Sequence, residues 1–269
     1  MIFVNSLPKS GTNMVQKLIE LAGYPYSKKS LAASSCFGRY GLAKHFLRAP
    51  ASGETPLSIG LEVPVVVSPK WVSKYLATAD GYVSGHAPYS DHFYSILNNH
   101  RFKTIQVVRH PAAVLVSWAR YIVEEGYYWG DAHVFLKNMS LDERVEFLVG
   151  GGSLGDNDSL YYRSFSDVLL GVKGWFDAEG VLVVRFEDLV GSQGGGSDQT
   201  QRETIVNIFQ HIDHKCTQND LSRVQKDLYG GTHTFRSGSI DTWRTKISKK
   251  TQDHILESIP VDILSAFDA

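Results

Sequence analysis

The sequence predicts an α/β fold: one domain over residues 1–269, with a central parallel β-sheet flanked by helices. Three observations predict it. Nearly continuous, β-branched apolar runs at residues 2–5, 104–108 and 181–185 read as strands covered on both faces. Between them lie longer segments whose apolar residues recur at helical spacing, and strand–helix alternation is the signature of a parallel sheet. At 269 residues, 43% of them hydrophobic, the chain is long enough to bury a sizeable core.

Each element follows in order. Ile2, Phe3 and Val4 open a first strand ending at Asn5. A turn, Leu7-Pro8-Lys9-Ser10-Gly11-Thr12-Asn13, leads into a helix with Met14, Val15, Leu18, Ile19 and Leu21 on one face. Residues 81–84 form a second strand and 104–108 a third. A helix follows, starting at Pro111 and patterned by Val114, Leu115, Trp118 and Ile122. Residues 181–185 make a fourth strand, and Ile205, Ile208, Phe209 and Ile212 a further amphipathic helix. The Gly/Ser-rich stretches at 150–158 and 191–197 read as flexible surface loops, and neither marks a domain boundary.

Composition narrows the partners. With 27 Lys+Arg against 28 Asp+Glu, the net charge is -1, so no broad basic surface is available for nucleic acid and any anion site is a local cluster. Two cysteines, Cys36 and Cys216, exclude a disulfide scaffold and a four-thiolate zinc site. No apolar run approaches the ~20 residues of a spanning helix, and no basic segment precedes the first strand, so the reading is a cytoplasmic protein with no membrane partner.

Two candidate anion sites stand out. At Lys9-Ser10-Gly11-Thr12-Asn13 a glycine permits a tight turn, the helix start presents unpaired amides, Lys9 brings an ammonium, and Ser10, Thr12 and Asn13 add neutral donors. The same turn also reads as a plain strand-to-helix connection capped by Thr12 with Lys9 solvated. It is not a Walker-type loop, because Lys9 precedes Gly11 and no acidic strand end is placed to hold magnesium. At the second site Arg109 ends an apolar strand, where ligands of parallel sheets collect, and Ser117 lies two turns along the next helix. An Arg paired with a carboxylate and a Ser bonded to its own helix is the competing reading. His86 ends the strand at 81–84, between Gly85 and Ala87-Pro88, and an imidazole there suits a general base near neutral pH. His211, His214 and Cys216 cluster in sequence but lack a fourth ligand at zinc spacing.

Taken together these segments resemble the sulfotransferases that use 3′-phosphoadenosine 5′-phosphosulfate (PAPS). Pro8-Lys9-Ser10-Gly11-Thr12 is similar to the family's PKSGTTW loop, and Arg109-His110-Pro111 through Ser117 to its 3′-phosphate motif. Gly85-His86-Ala87-Pro88 resembles the THLP segment of the catalytic histidine. Val184-Arg185-Phe186-Glu187-Asp188-Leu189 resembles the YEDL stretch beside adenine, and Phe235-Arg236-Ser237-Gly238 to Trp243 the RKGxxGDW motif. Five blocks in order, from residue 8 to residue 243, span nearly the whole chain. Asn13 and Met14 replace the usual Thr-Trp, Phe186 replaces a tyrosine, Ser237 replaces a lysine, and Asp241-Thr242 replaces Gly-Asp.

The resemblance implies a P-loop-NTPase-like sulfotransferase fold and metal-free sulfonyl transfer from PAPS to a small-molecule hydroxyl or amine, giving PAP. It implies His86 and Lys9 as catalytic residues. Lys9, Ser10, Gly11, Thr12 and Asn13 would lie at the 5′-phosphosulfate, Phe186 near adenine, and Arg109, Ser117, Arg236, Ser237 and Gly238 around the 3′-phosphate. The acceptor walls would come from residues 23–69 and 121–163, with Tyr121, Tyr127, Tyr128 and Trp129 as candidates. A magnesium-dependent P-loop phosphotransferase and a non-catalytic PAP-binding module are the alternatives; the preferred reading expects activity in EDTA.

Overall fold

A computed structural model describes residues 1–32, 50–124, 130–153, 161–230 and 238–268. Along the chain run β1 (Ile2–Ser6), α1 (Thr12–Leu21), β2 (Tyr26–Leu31), β3 (Leu57–Ile59), β4 (Val65–Val67), α2 (Pro69–Ala77), β5 (Tyr82–Gly85) and α3 (Asp91–Asn99). They continue with β6 (Lys103–Val108), α4 (Pro111–Glu124), α5 (Gly130–Leu136), α6 (Leu141–Gly150), β7 (Gly152–Ser153), β8 (Tyr161–Tyr162), α7 (Phe165–Lys173) and β9 (Val181–Arg185). Last come α8 (Phe186–Leu189), α9 (Asp198–His211), α10 (Gln218–Leu228), α11 (Lys249–Ser258) and α12 (Val261–Asp268).

Five strands form a parallel sheet in the order β2-β5-β1-β6-β9. The alternation of side chains along a strand divides the core in two. Ile2 and Val4 pack with Met14, Val15, Leu18 and Ile19 of α1 and with the apolar stripes of α9 and α10. Phe3 points the other way, into a cluster with Phe93, Trp118 and Trp175. Helices on both faces explain why β1 is buried at every position. Because β5, β1 and β6 are adjacent and parallel, their carboxyl ends lie along one edge of the sheet.

Some local expectations need correction. The second strand spans Tyr82–Gly85, one residue later than the sequence pattern places it. An edge strand, β2, was not expected: its exposed Tyr26 and Lys28 break the apolar signal, as charged edge strands do. In the stretch 150–158, Gly152 and Ser153 pair with Tyr162 and Tyr161 instead of forming loop, and residues 154–158 lie outside the described residues. Residues 191–197 are a packed turn rather than a flexible loop. Ser192–Gly194 is a 3₁₀ turn, and a Cβ on Gly194 would stand 2.2 Å from Val190 and 2.3 Å from the Gly238 carbonyl. The Gly194 carbonyl also accepts from the Ile240 amide at 3.1 Å, so the turn anchors the segment after residue 237.

Candidate active site

The first loop is tied to the sheet before it does any chemistry. The Leu7 amide donates to the Val107 carbonyl at 3.0 Å. Ser10 is fully buried; its hydroxyl faces the carbonyls of Leu7 (2.6 Å) and Val107 (3.0 Å), and its amide bonds Leu7 as well. Ser10 therefore shapes the loop, and the anion-donor role read from the sequence does not match the direction of its hydroxyl. Lys9 and Gly11 both adopt left-handed backbone conformations, φ 66° and 99°. For lysine this strain is of the order of 1 kcal/mol, and such strain concentrates at functional sites. Gly11 admits nothing larger, since a Cβ would sit 2.7 Å from the Phe186 ring. Gly11, not Thr12, is the N-cap of α1, and no side chain caps that helix start. The Thr12 hydroxyl instead bonds that of Ser6 at 2.6 Å. The Lys9 ammonium stands 3.6 Å over the Tyr121 ring.

Arg109 leaves the end of β6 and turns toward this loop. Its Nη2 donates to the Ser239 carbonyl at 2.8 Å, and Nη1 reaches the Lys9 carbonyl at 3.5 Å. The guanidinium lies 4.2 Å over the Phe186 ring, so that ring is held between Gly11 and Arg109. Arg109 Nε is buried without a hydrogen-bond partner among the described residues. Burial pulls its pKa down, and Glu187 opposes that shift, so a bound anion would find a donor poorly compensated by the protein. Glu187 accepts the His110 amide at 2.9 Å, and the His110 ring stacks on Trp243 at 4.9 Å. Ser117 and Gly238 line the same space; Arg236 and Ser237 lie outside the described residues.

His86 follows β5 and is held at one nitrogen. Its Nδ1 lies 2.9 Å from the Ser6 carbonyl and 3.0 Å from the Ser6 hydroxyl. A carbonyl only accepts, so the contact with the Ser6 carbonyl is a hydrogen bond in the tautomer that carries its proton on Nδ1 and leaves Nε2 free to accept one. The backbone is fixed on both sides of the ring. The His86 amide donates to Leu31 at 3.0 Å. The buried Asn5 side chain accepts from the Ala87 amide at 2.8 Å and donates to the Ala87 carbonyl at 2.9 Å.

One cavity of about 390 Å³ is lined by Lys9, Gly11, Thr12, Asn13, His86, Arg109, Ser117, Phe186 and Gly238, together with Tyr121 and the buried Glu62. The structure thus gathers the described sequence candidates except Ser10. Tyr127, Tyr128 and Trp129 lie outside the described residues. Asn5, Ser6 and Glu62 belong to no motif, so nothing in the sequence pattern marks them as part of the site. His211, His214 and Cys216 have separate partners: Thr104 for the first, the rings of Tyr24 and Phe209 for the second, and Thr217 for the third. Among the described residues no group of three or more His, Cys, Asp or Glu is placed to hold a metal ion. Among them, too, no helix is long and apolar enough to cross a membrane.

Cationic side chains and a helix start at the carboxyl edge of a parallel sheet define an α/β protein with an anion-binding cleft. The family follows from comparison: the Sulfotransferase domain family matches residues 1–259, and the chain belongs to it. Among solved structures it is similar to mouse sulfotransferase SULT7A1 complexed with PAP, with a TM-score of 0.62 and 13% identity over 99% of this chain and 87% of that one. It is also similar to retinol dehydratase in complex with androsterone and PAP, with a TM-score of 0.60 and 14% identity over 100% of this chain and 81% of that one. The same enzyme with retinol and PAP gives a TM-score of 0.61, at 14% identity over 100% and 82%. At such identities the likeness is one of fold. No curated protein sequence matches the chain.

Proposed function

We propose that residues 1–269 act as one domain that transfers the sulfonyl group of PAPS to a hydroxyl or amine of a small-molecule acceptor, in the cytoplasm. The observation that carries this reading is the meeting of Lys9, Arg109 and His86, from three neighbouring strand ends, in one cavity. The residues fit a nucleotide with two separated anionic groups. Gly11 and the uncapped start of α1 suit the 5′ group, while the unpartnered Nε of Arg109, with Ser117, suits the 3′-phosphate. The structural neighbours solved with PAP, and in one protein with retinol or androsterone, support a PAP site and a small-molecule acceptor.

When bound, PAPS supplies the sulfonyl group. His86 Nε2 takes the acceptor's proton as the acceptor's oxygen or nitrogen bonds to sulfur. The electron pair of the broken S–O bond stays on the 5′-phosphate oxygen, where Lys9, Thr12 and the loop amides stabilise it. Positioning and charge stabilisation supply most of the acceleration, as in phosphoryl transfer. Phe186, whose ring is fixed between Gly11 and Arg109, would border the adenine and has no hydrogen bond to offer it.

The test is incubation with ³⁵S-labelled PAPS and a panel of phenols, alcohols and amines in EDTA, with calorimetry of PAP binding. Labelled acceptor and PAP binding are expected. PAP binding without transfer to any acceptor would favour a binding module, and transfer from ATP that needs magnesium a phosphotransferase; either result overturns the proposal.

A further inference from the structure

Glu62 sits between β3 and β4, is 3% exposed, and lines the same cavity as His86, Trp118 and Tyr121. Its carbonyl accepts the Arg163 amide at 3.0 Å, which fixes the turn against the segment after β8. Its Oε2 is buried without a hydrogen-bond partner among the described residues. Burial raises the carboxyl's pKa above its ordinary value, outweighing the His86 imidazole, the backbone amide of Glu62, the Arg163 guanidinium and the backbone amide of Leu61, which pull it the other way, so a bound cation is what would hold it as the carboxylate. The sulfonyl-transfer steps above make no use of this group.

Glu62 shares the cavity with His86, the residue proposed to face the acceptor, and a carboxylate suits the acceptor's side better than the nucleotide's. A carboxylate repels a nucleotide's phosphates, which Lys9 and Arg109 attract from the other strand ends. A buried carboxylate with an empty oxygen is costly to leave so, and a ligand that supplies both a donor and a positive charge relieves the cost in full. A neutral hydroxyl supplies only the donor, and an anionic acceptor is repelled.

We propose that Glu62 selects the acceptor, its carboxylate binding a protonated amino group on a small molecule whose hydroxyl is presented to His86. This rests on the sulfotransfer reading. The molecule recognised is an amino alcohol or aminophenol. A simple phenol, a sterol or an acid does not satisfy the same subsite.

The experiment uses matched acceptors with labelled PAPS: tyramine against 4-ethylphenol, and 3-aminopropan-1-ol against butan-1-ol. The wild-type enzyme should favour the amine of each pair by about 10- to 100-fold in kcat/KM, the range a charge-assisted hydrogen bond supports. In Glu62→Gln, which keeps the shape and removes the charge, that ratio should fall by about 10-fold or more, chiefly through KM. PAP affinity, measured by calorimetry on both proteins, reports separately on the nucleotide site and on folding. With PAP bound, preference for the neutral members, label on none of the amines, or an amine preference that persists in Glu62→Gln would each overturn the assignment. Absent PAP binding in the wild type would instead count against the sulfotransfer reading, and this inference would fall with it.

Discussion

Asn5→Ala tests how the candidate base is held. The wild-type amide makes three buried hydrogen bonds: its Oδ1 accepts from the Ala87 amide, and its Nδ2 donates to the Ala87 carbonyl and, at 2.7 Å, to Gln106 Oε1. Truncation does not orphan all three partners. The Ala87 carbonyl keeps the Trp175 indole N–H at 3.1 Å, whereas the Ala87 N–H and Gln106 Oε1 lose the only partner each has among the described residues. An orphaned buried polar group costs about 1–3 kcal/mol, so the loss should be about 2–6 kcal/mol. That is a large share of the roughly 5–15 kcal/mol that folds a typical domain, so the variant is best measured by urea unfolding in the cold. Ala87 directly follows His86, and freeing its backbone should move the imidazole enough to lower kcat by about 100-fold. PAP affinity should stay within about twofold, because Asn5 does not line the cavity. A stability loss below about 1 kcal/mol, or matching losses in kcat and PAP affinity, would show that Asn5 does not position the histidine.

His86→Ala should abolish label transfer while PAP still binds by calorimetry; surviving turnover would move the base elsewhere. Lys9→Ala should lower kcat by about 10²–10³-fold, the effect typical of removing one donor to a developing oxyanion, and an effect on KM alone would contradict that role. Arg109→Ala should weaken PAP binding by about 10- to 100-fold, and unchanged affinity would mean that the 3′-phosphate site is misplaced. His211 gives a pH prediction. Its Nε2 bonds the Thr104 carbonyl at 2.9 Å, and burial holds its pKa below the usual value despite that bond. The unfolded chain then binds the proton more readily, so this contribution to stability is complete above about pH 6.5 and declines as pH falls below it. Urea unfolding between about pH 5 and about pH 8 should show a smaller slope in His211→Gln, and an unchanged slope would exclude His211 as its source.

What could be read from the sequence depended on how local the signal was. β1, β6 and β9 announce themselves as apolar runs, and Lys9, Arg109 and His86 each follow a strand closely, so the three were legible together. Arg236 carries the most distant of the motifs and lies outside the described residues. The edge strand β2 was not legible because its outward residues are polar and it needs only one partner, β5. The direction of a hydroxyl was not legible either. Ser10 looked like an anion donor until two carbonyls, one of them 97 residues away, took its proton. Asn5 meets Ala87 across 82 residues and Gln106 across 101, separations that no spacing rule encodes.

His86, the proposed base, shows why the partner of such a residue can leave no trace in a sequence. A histidine base needs its second nitrogen fixed, commonly by a carboxylate or a backbone carbonyl. Here the group is the main-chain carbonyl of Ser6, the last residue of the central strand, so no side-chain substitution at position 6 deletes it. The Ser6 hydroxyl, meanwhile, touches both His86 and Thr12. One residue therefore faces the imidazole with its carbonyl and the anion loop with its hydroxyl. The proposed base and the loop proposed to stabilise the leaving oxygen are thus tied to one strand, and a shift of β1 against β5 would disturb the His86 contact.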